Sequence, residues 1–299
     1  MKRYLILIIN VMVIFQIHGQ TYTDKKGNVH LWGKVKVDDL KNAEYGEWYT
    51  RNMKNYKTYL SETEGKLFAG CSVRIFLGTW CGDTKFLVPK FIETWKAMGL
   101  KEDKLELIAL HHEGDNYKQG PNDETLGLNI HKVPTFIFEK NGKEMGRIVE
   151  RTIFDLDTDL MQIANGYPYE ERYQGVVMLH KIMDQMDMES MWIEDNVKKI
   201  FNTVRREVAT SSELNAYGYV LKAQNQLEKA HFVFFLNRRI FPYDPNVIDS
   251  YGEILMQMNR WEEAAQEFNE VIRIKGSDQN AVEQLNLIYS EMKKMDSSE

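Results

Sequence analysis

Two cysteines, six prolines and 19 glycines are all that 299 residues hold of the types that staple or break a chain. Two cysteines close one disulfide at most, so this is no disulfide scaffold and each sulfur needs its own account. So little proline and glycine excludes a collagen-like or low-complexity chain. A basic excess is missing as well: 38 Lys+Arg stand against 44 Asp+Glu, a formal net charge of −6. That balance is poorly suited to neutralising a phosphate backbone, and nucleic acid is not expected as a partner. Nor does any apolar run reach the ~20 residues of a membrane-spanning helix. What is present, 43% hydrophobic and 27% charged residues, suits a folded core.

The longest apolar run, Leu5 to Phe15 broken by Asn10, follows Lys2 and Arg3 and ends in Gln16-Ile17-His18-Gly19. A cationic start, about 11 apolar residues and a polar, small-residue end are the marks of an export signal. Residues 1–19 are therefore expected to be removed, leaving a mature chain from Gln20 in a periplasm or outside the cell. No cysteine follows to accept a lipid, so no stable membrane insertion is expected afterwards. The remaining length suits roughly two domains.

A polar stretch, Thr21 to Asn28, precedes Val29, Leu31, Val35 and Val37, whose alternation predicts a half-buried strand. Asp38 or Asp39 is expected to cap a helix running to about Leu60. Ser72–Leu77 reads as a strand ending at Gly78-Thr79, Phe86–Met98 as a helix and Leu105–Leu110 as a buried strand. Val133–Phe138 and Gly146–Val149, joined through Asn141-Gly142, carry a hairpin signal. The order is that of a mixed sheet flanked by helices.

From about Asp155 the pattern turns helical to the end. Methionines at 178, 183, 186, 188 and 191 form a stripe that reads as adaptable core. Gly218, Ala230, Phe234 and Pro242 recur 34 residues later as Gly252, Ala264, Phe268 and Gly276, with Tyr217 and Tyr251 before the two glycines. This spacing resembles the tetratricopeptide repeat, with Leu214 and Ile248 where the first-helix Trp usually stands. The resemblance implies two repeats over about 211–278 and an end helix over 279–295. The expected organisation is a first domain over 20–165, connecting helices over 166–210 and helical repeats over 211–299.

The chemistry centres on Val73-Arg74-Ile75-Phe76-Leu77-Gly78-Thr79-Trp80-Cys81-Gly82-Asp83-Thr84-Lys85, with Pro89 eight residues after the cysteine. A buried strand feeding a cysteine at the start of a helix exposes the sulfur to the helix-end dipole. The Trp-Cys-Gly-x-x-Lys run resembles the thioredoxin family, and Val133-Pro134-Thr135 resembles the family's second motif, whose proline is cis and faces the active cysteine. The resemblance covers about residues 29–165 and implies a thioredoxin-like α/β fold followed by the all-α repeat domain.

Three departures from the family matter. Thr84 stands in place of its second cysteine, Ile75 in place of its buried acid, and Glu150 in place of the glycine sixteen residues after the cis proline. Cys71 cannot replace the lost partner, because a strand of six to eight residues at ~3.3 Å each separates the two sulfurs beyond the ~7 Å Cα limit of a disulfide. It reads as a small apolar residue.

The expected site is thus Cys81 as nucleophile, Trp80 as its shield, Thr84 as hydrogen-bond donor to the sulfur, and Pro134 with Val133 aligning a substrate backbone. Thr135, Gly82 and Asp83 flank the substrate, Asp83 opposing ionisation of the thiol by its charge. His111 and His112, at the end of the strand parallel to that of Cys81, are candidate modulators, although a solvated loop is the expected environment of both. With Glu113, Asp115 and His131 nearby a metal site is conceivable, but the spacing is no metal signature, and no metal or cofactor is expected.

The function these residues imply is thiol–disulfide exchange through one cysteine on a protein or peptide substrate, by way of a mixed disulfide, with an external thiol as reductant. The rival is a non-catalytic module that holds a peptide or protein in the thioredoxin groove and on the helical repeats.

Overall fold

A computed structural model describes residues 20–42 and 44–296. The expected export signal, residues 1–19, lies outside the described residues.

Six strands form one mixed sheet: β1 (Gln20–Thr23), β2 (Val29–Val35), β3 (Cys71–Leu77), β4 (Leu105–Ala109), β5 (Thr135–Lys140) and β6 (Lys143–Val149). Their spatial order is β1-β2-β4-β3-β5-β6. The central β3 runs parallel to β4 and antiparallel to β5. A strand covered on both faces reads as a nearly continuous apolar run, and Val73-Arg74-Ile75-Phe76-Leu77 is one. Val73, Ile75 and Leu77 enter a core with Phe91 and Trp95, whereas Phe76 points the other way, toward Ile108, Leu110, Ile130 and Ile137.

Two sequence expectations change here. The polar stretch after residue 20 contains a strand, β1, paired antiparallel with β2 from Gln20↔Trp32 to Thr23↔Val29. Backbone pairing and a tight turn make it, without an apolar pattern: the Asp24 carboxylate accepts from the backbone N–H groups of Lys26 and Asn28. The helix expected through about Leu60 is instead a 3-10 turn (Val37–Lys41) and the short α1 (Gly46–Met53), and α2 (Glu62–Gly65) follows beyond it. Asn42 draws the Glu44 and Tyr45 amides into a side-chain turn, and Asn55 adopts φ 67°. Both residues favour turns over helix interiors.

Helix α3 (Gly82–Ala97) starts at the site, and α4 (Leu156–Ala164) buries Leu156, Leu160 and Ile163 in the sheet's own core. From α5 (Gln174–Gln185) onward a second core takes over through α6 (Met188–Met191), α7 (Glu194–Glu207), α8 (Ser211–Ala223), α9 (Leu227–Ile240), α10 (Pro245–Gln257), α11 (Trp261–Lys275) and α12 (Gln279–Asp296). Met183 and Met191 are buried in it, and Met186 and Met188 pack against it.

The 34-residue spacing reappears as geometry. Asn225 and Asn259, themselves 34 apart, take φ 56° and 58° in the turns α8–α9 and α10–α11. A Cβ on Gly218 would sit 2.7 Å from the Phe234 ring, and one on Gly252 would sit 2.9 Å from Phe268. In each pair a missing side chain lets a phenyl ring lie against the facing helix backbone. No helix among the described residues is long and apolar enough to cross a membrane.

Candidate functional site around Cys81

Strand β3 delivers the chain to Gly78, and a three-residue turn carries it into α3. Cys81 occupies the N-cap of that helix with extended backbone, φ −86° and ψ 129°. Its N–H donates to Gly78 O at 2.9 Å. The turn is tight because Trp80 folds back over it: a Cβ on Gly78 would lie 2.4 Å from the indole. The Trp80 Nε1–H donates to Leu110 O at 3.0 Å, fixing the ring at the end of β4.

Cys81 is partly exposed, and its Sγ–H donates to the Val133 carbonyl at 3.2 Å. The Val133–Pro134 bond is cis. Thr135 is buried and its hydroxyl donates to Lys132 O at 2.7 Å, holding the segment onto β5. Cys81, Trp80, Val133 and Pro134 are therefore brought together as expected.

Thr84 differs from expectation. It is fully buried, and its hydroxyl oxygen accepts from the Gly78 N–H at 3.2 Å, so it braces the β3–α3 turn while the sulfur bonds to a backbone carbonyl instead. Gly82 opens α3, and Asp83 beside it is paired with Arg151, Nε to Oδ1 at 2.9 Å, so its charge does not act on the sulfur unopposed. Cys71 lies buried at the far end of β3, where burial pushes its thiol up to about 11.

The second half of the site came from residues no motif marked. Lys118, in the long loop before Pro134, is 5% exposed and has φ 53°. Its ammonium donates to the Tyr117 hydroxyl at 2.5 Å. Burial pushes it down to about 7, the neighbouring Lys132 pushes the same way, and the charges of Cys81 and Glu150 pull it back up. Lys118 is thus an electrostatic neighbour of the sulfur. The one sequence signal for it was the length of the loop, 53 residues from Cys81 to Pro134.

Glu150 has φ 63°, a left-handed backbone that favours glycine. Its N–H donates to Pro134 O at 2.7 Å. Its carboxylate accepts from the Tyr173 hydroxyl and faces Lys132 Nζ at 3.8 Å. A non-glycine residue pays roughly 1–2 kcal/mol for that conformation, so the carboxylate's contacts offset a real strain beside the cis proline.

The imidazoles are not solvated loop groups. The His111 ring stacks on Tyr22 with centroids 3.7 Å apart, and His112 lies 5.0 Å from the Trp80 ring. Burial lowers both below the usual histidine range. His131 is elsewhere, fully buried between Tyr173 and Tyr217 at 5.5 and 6.1 Å, where burial pushes it down to about 3. Among the described residues the group with metal-binding donors together is Asp24, His30 and His112; of the set weighed from sequence, His111, His112, Glu113, Asp115 and His131, it contains His112 alone.

A strand-turn-cysteine-helix unit facing a cis proline across a mixed sheet decides the architecture. The N-terminal fold is thioredoxin-like. An all-helical domain follows it. The chain is similar to Thioredoxin H9 of Arabidopsis thaliana, with 29% identity over 142 residues that span 48% of this chain and 80% of that protein. No family model matches, and no solved structure matches. The similarity supports a thioredoxin-like redox or binding role for the first half of the chain.

Between the two domains lies a cleft of about 540 Å³ whose walls include Tyr117, Lys118 and Lys132 from one side and Asn215, Tyr219 and Lys222 from the other. Tyr117 and Tyr219 meet across it edge to face at 5.9 Å. The long loop before Pro134 thus forms one wall of the cleft, and helix α8 of the helical domain much of the other.

Proposed function

We propose that this chain is an exported thiol–disulfide exchange protein that works through a single cysteine, Cys81. The observation that carries the reading is the Cys81 Sγ–H bond to Val133 O at 3.2 Å beside the cis Pro134. An extended substrate that pairs with the Val133–Thr135 backbone would bring its own sulfur to this one. The Cys81 thiolate attacks one sulfur of a substrate disulfide, forming a mixed disulfide and releasing the other sulfur as a thiolate. An external thiolate then attacks the substrate sulfur of that mixed disulfide, forming an external thiol–substrate disulfide and releasing the Cys81 thiolate; a second external thiolate frees the substrate sulfur, and the two external thiols leave as their own disulfide. The sulfur sits at the N-terminus of α3 with the Lys118 ammonium as an electrostatic neighbour. Trp80, the residue before Cys81 in the turn, would shield the sulfur.

Export rests on the cationic start and short apolar run of residues 1–19. The helical domain is read as two tetratricopeptide-like repeats, supported by the paired Gly218–Phe234 and Gly252–Phe268 contacts. A second reading, a binding module without chemistry, draws on the inter-domain cleft, which could hold a peptide whether or not the sulfur reacts.

The test is reduction of a small disulfide by an excess of external thiol, with wild type and Cys81→Ser compared. Exchange through Cys81 predicts that the variant falls to the uncatalysed rate; an unchanged rate removes the enzymatic reading and leaves the binding module.

A further inference from the structure

Three side chains, two from the β1–β2 hairpin and one from beyond the end of β4, converge beside Trp80. Asp24 closes the β1–β2 turn, His30 lies on β2, and His112 follows β4; one donor atom from each lies within 4.8 Å of the other two. Asp24 Oδ2 and His30 Nε2 are 3.3 Å apart. Two ligands held at ~2.0–2.1 Å from a tetrahedral ion are themselves about 3.3 Å apart, so this pair already has the spacing of two zinc ligands. His112, half-buried after β4, supplies the third donor.

Both rings have further polar partners, and His112 Nε2 also faces Glu113 Oε1 at 3.4 Å. His30 Nδ1 meets the Thr79 hydroxyl at 3.2 Å, and His112 Nδ1 meets the Tyr22 hydroxyl at 2.6 Å. Outer partners of this kind fix ring orientation and tautomer at metal sites. The group opens onto a cleft of about 640 Å³ that Trp80 and Lys85 also line, which would leave a coordination position facing solvent.

We propose that Asp24, His30 and His112 bind one divalent transition-metal ion, of the class that accepts two imidazoles and a carboxylate, with zinc as its representative. The site departs from the sequence expectation of no metal, because Asp24 and His30 share one hairpin without a recognised ligand spacing and His112 comes from the end of a distant strand. It adjoins the Cys81 turn through Thr79 and the Trp80 indole, and it does not depend on Cys81 reacting.

The experiment is calorimetric titration of the untagged full-length protein with zinc chloride, repeated on variants. The proposal predicts one ion per chain, unchanged in Cys81→Ser. Loss of a ligand in His30→Ala or His112→Ala should weaken binding by more than the 10–100-fold typical of an outer-partner loss, and Tyr22→Phe by about that 10–100-fold. Tyr22→Phe leaves all three ligands and keeps the test meaningful if a histidine variant fails to fold. Cobalt in place of zinc should give a ligand-field spectrum without a sulfur charge-transfer band. Zinc held no more tightly by wild type than by His112→Ala, or lost in Cys81→Ser, would overturn the assignment.

Discussion

The helical domain and the loop that surrounds Cys81 use backbone irregularity in opposite ways. In the helices the left-handed residues Asn225 and Asn259 recur at a fixed spacing and end a helix each time, and Gly218 and Gly252 repeat one contact. Around the sulfur, Lys118 at φ 53° and Glu150 at φ 63° occur once each and carry charge toward the site. The first kind of irregularity serves packing and can be copied along the chain. The second costs stability locally and is held by charged and hydroxyl contacts beside a reactive group.

That contrast predicts where substitutions hurt. The largest effect belongs to the helical domain: Phe234→Ala or Phe268→Ala removes a fully buried ring that fills the space above a glycine. Each should lower stability by about 3–5 kcal/mol in denaturant unfolding. Equal loss from both would support the repeat as an energetic unit.

A smaller effect, of opposite sign, is expected at Lys118. Its value is about 7 in the folded protein against 10.5 for a free lysine, so between those values the unfolded chain binds more protons. Its contribution to stability therefore improves as pH rises from about 7 to about 10.5 and is most unfavourable below 7. Lys118→Met should be more stable than wild type at pH 6, on the order of a few kcal/mol, and should lose that advantage at pH 10. Unfolding curves at the two pH values measure the difference, and a variant less stable at both would mean that the ammonium is held by interactions stronger than its burial.

The smallest effect is expected at Glu150. Glu150→Gly relieves roughly 1–2 kcal/mol of left-handed strain and gives up the Tyr173 and Lys132 contacts, each worth about 1 kcal/mol. Stability should change by less than about 1 kcal/mol, while substrate access beside Pro134 increases. A large loss would show that the carboxylate pins Tyr173, and with it α5, to the thioredoxin-like domain.

What could be read from sequence follows the same division. The strand Val73–Leu77, the Trp80-Cys81 turn and the Val133-Pro134 segment are contiguous motifs, and the structure assembles them as their order implies. The helical half announced itself through a period. Strand β1 was hidden because an edge strand stabilised by backbone pairing needs no apolar alternation. Thr84 was misread because adjacency to the cysteine says nothing about which way a side chain turns at the start of a helix. Lys118, Glu150 and the meeting of the Asp24–His30 hairpin with His112 join positions far apart in the chain, brought together by the sheet order and by a loop with no motif of its own.

The central claim is that Cys81 is a working thiol in a site built around it, and the most direct test is the alkylation of both cysteines in the native protein at neutral pH, followed by peptide mass spectrometry. Cys71, buried with its thiol pushed up to about 11, is the internal control. The account predicts that Cys81 is modified at least about tenfold faster than Cys71, that Lys118→Met slows Cys81 alone, and that unfolding removes the difference. Equal slow labelling of both in the native state would contradict it.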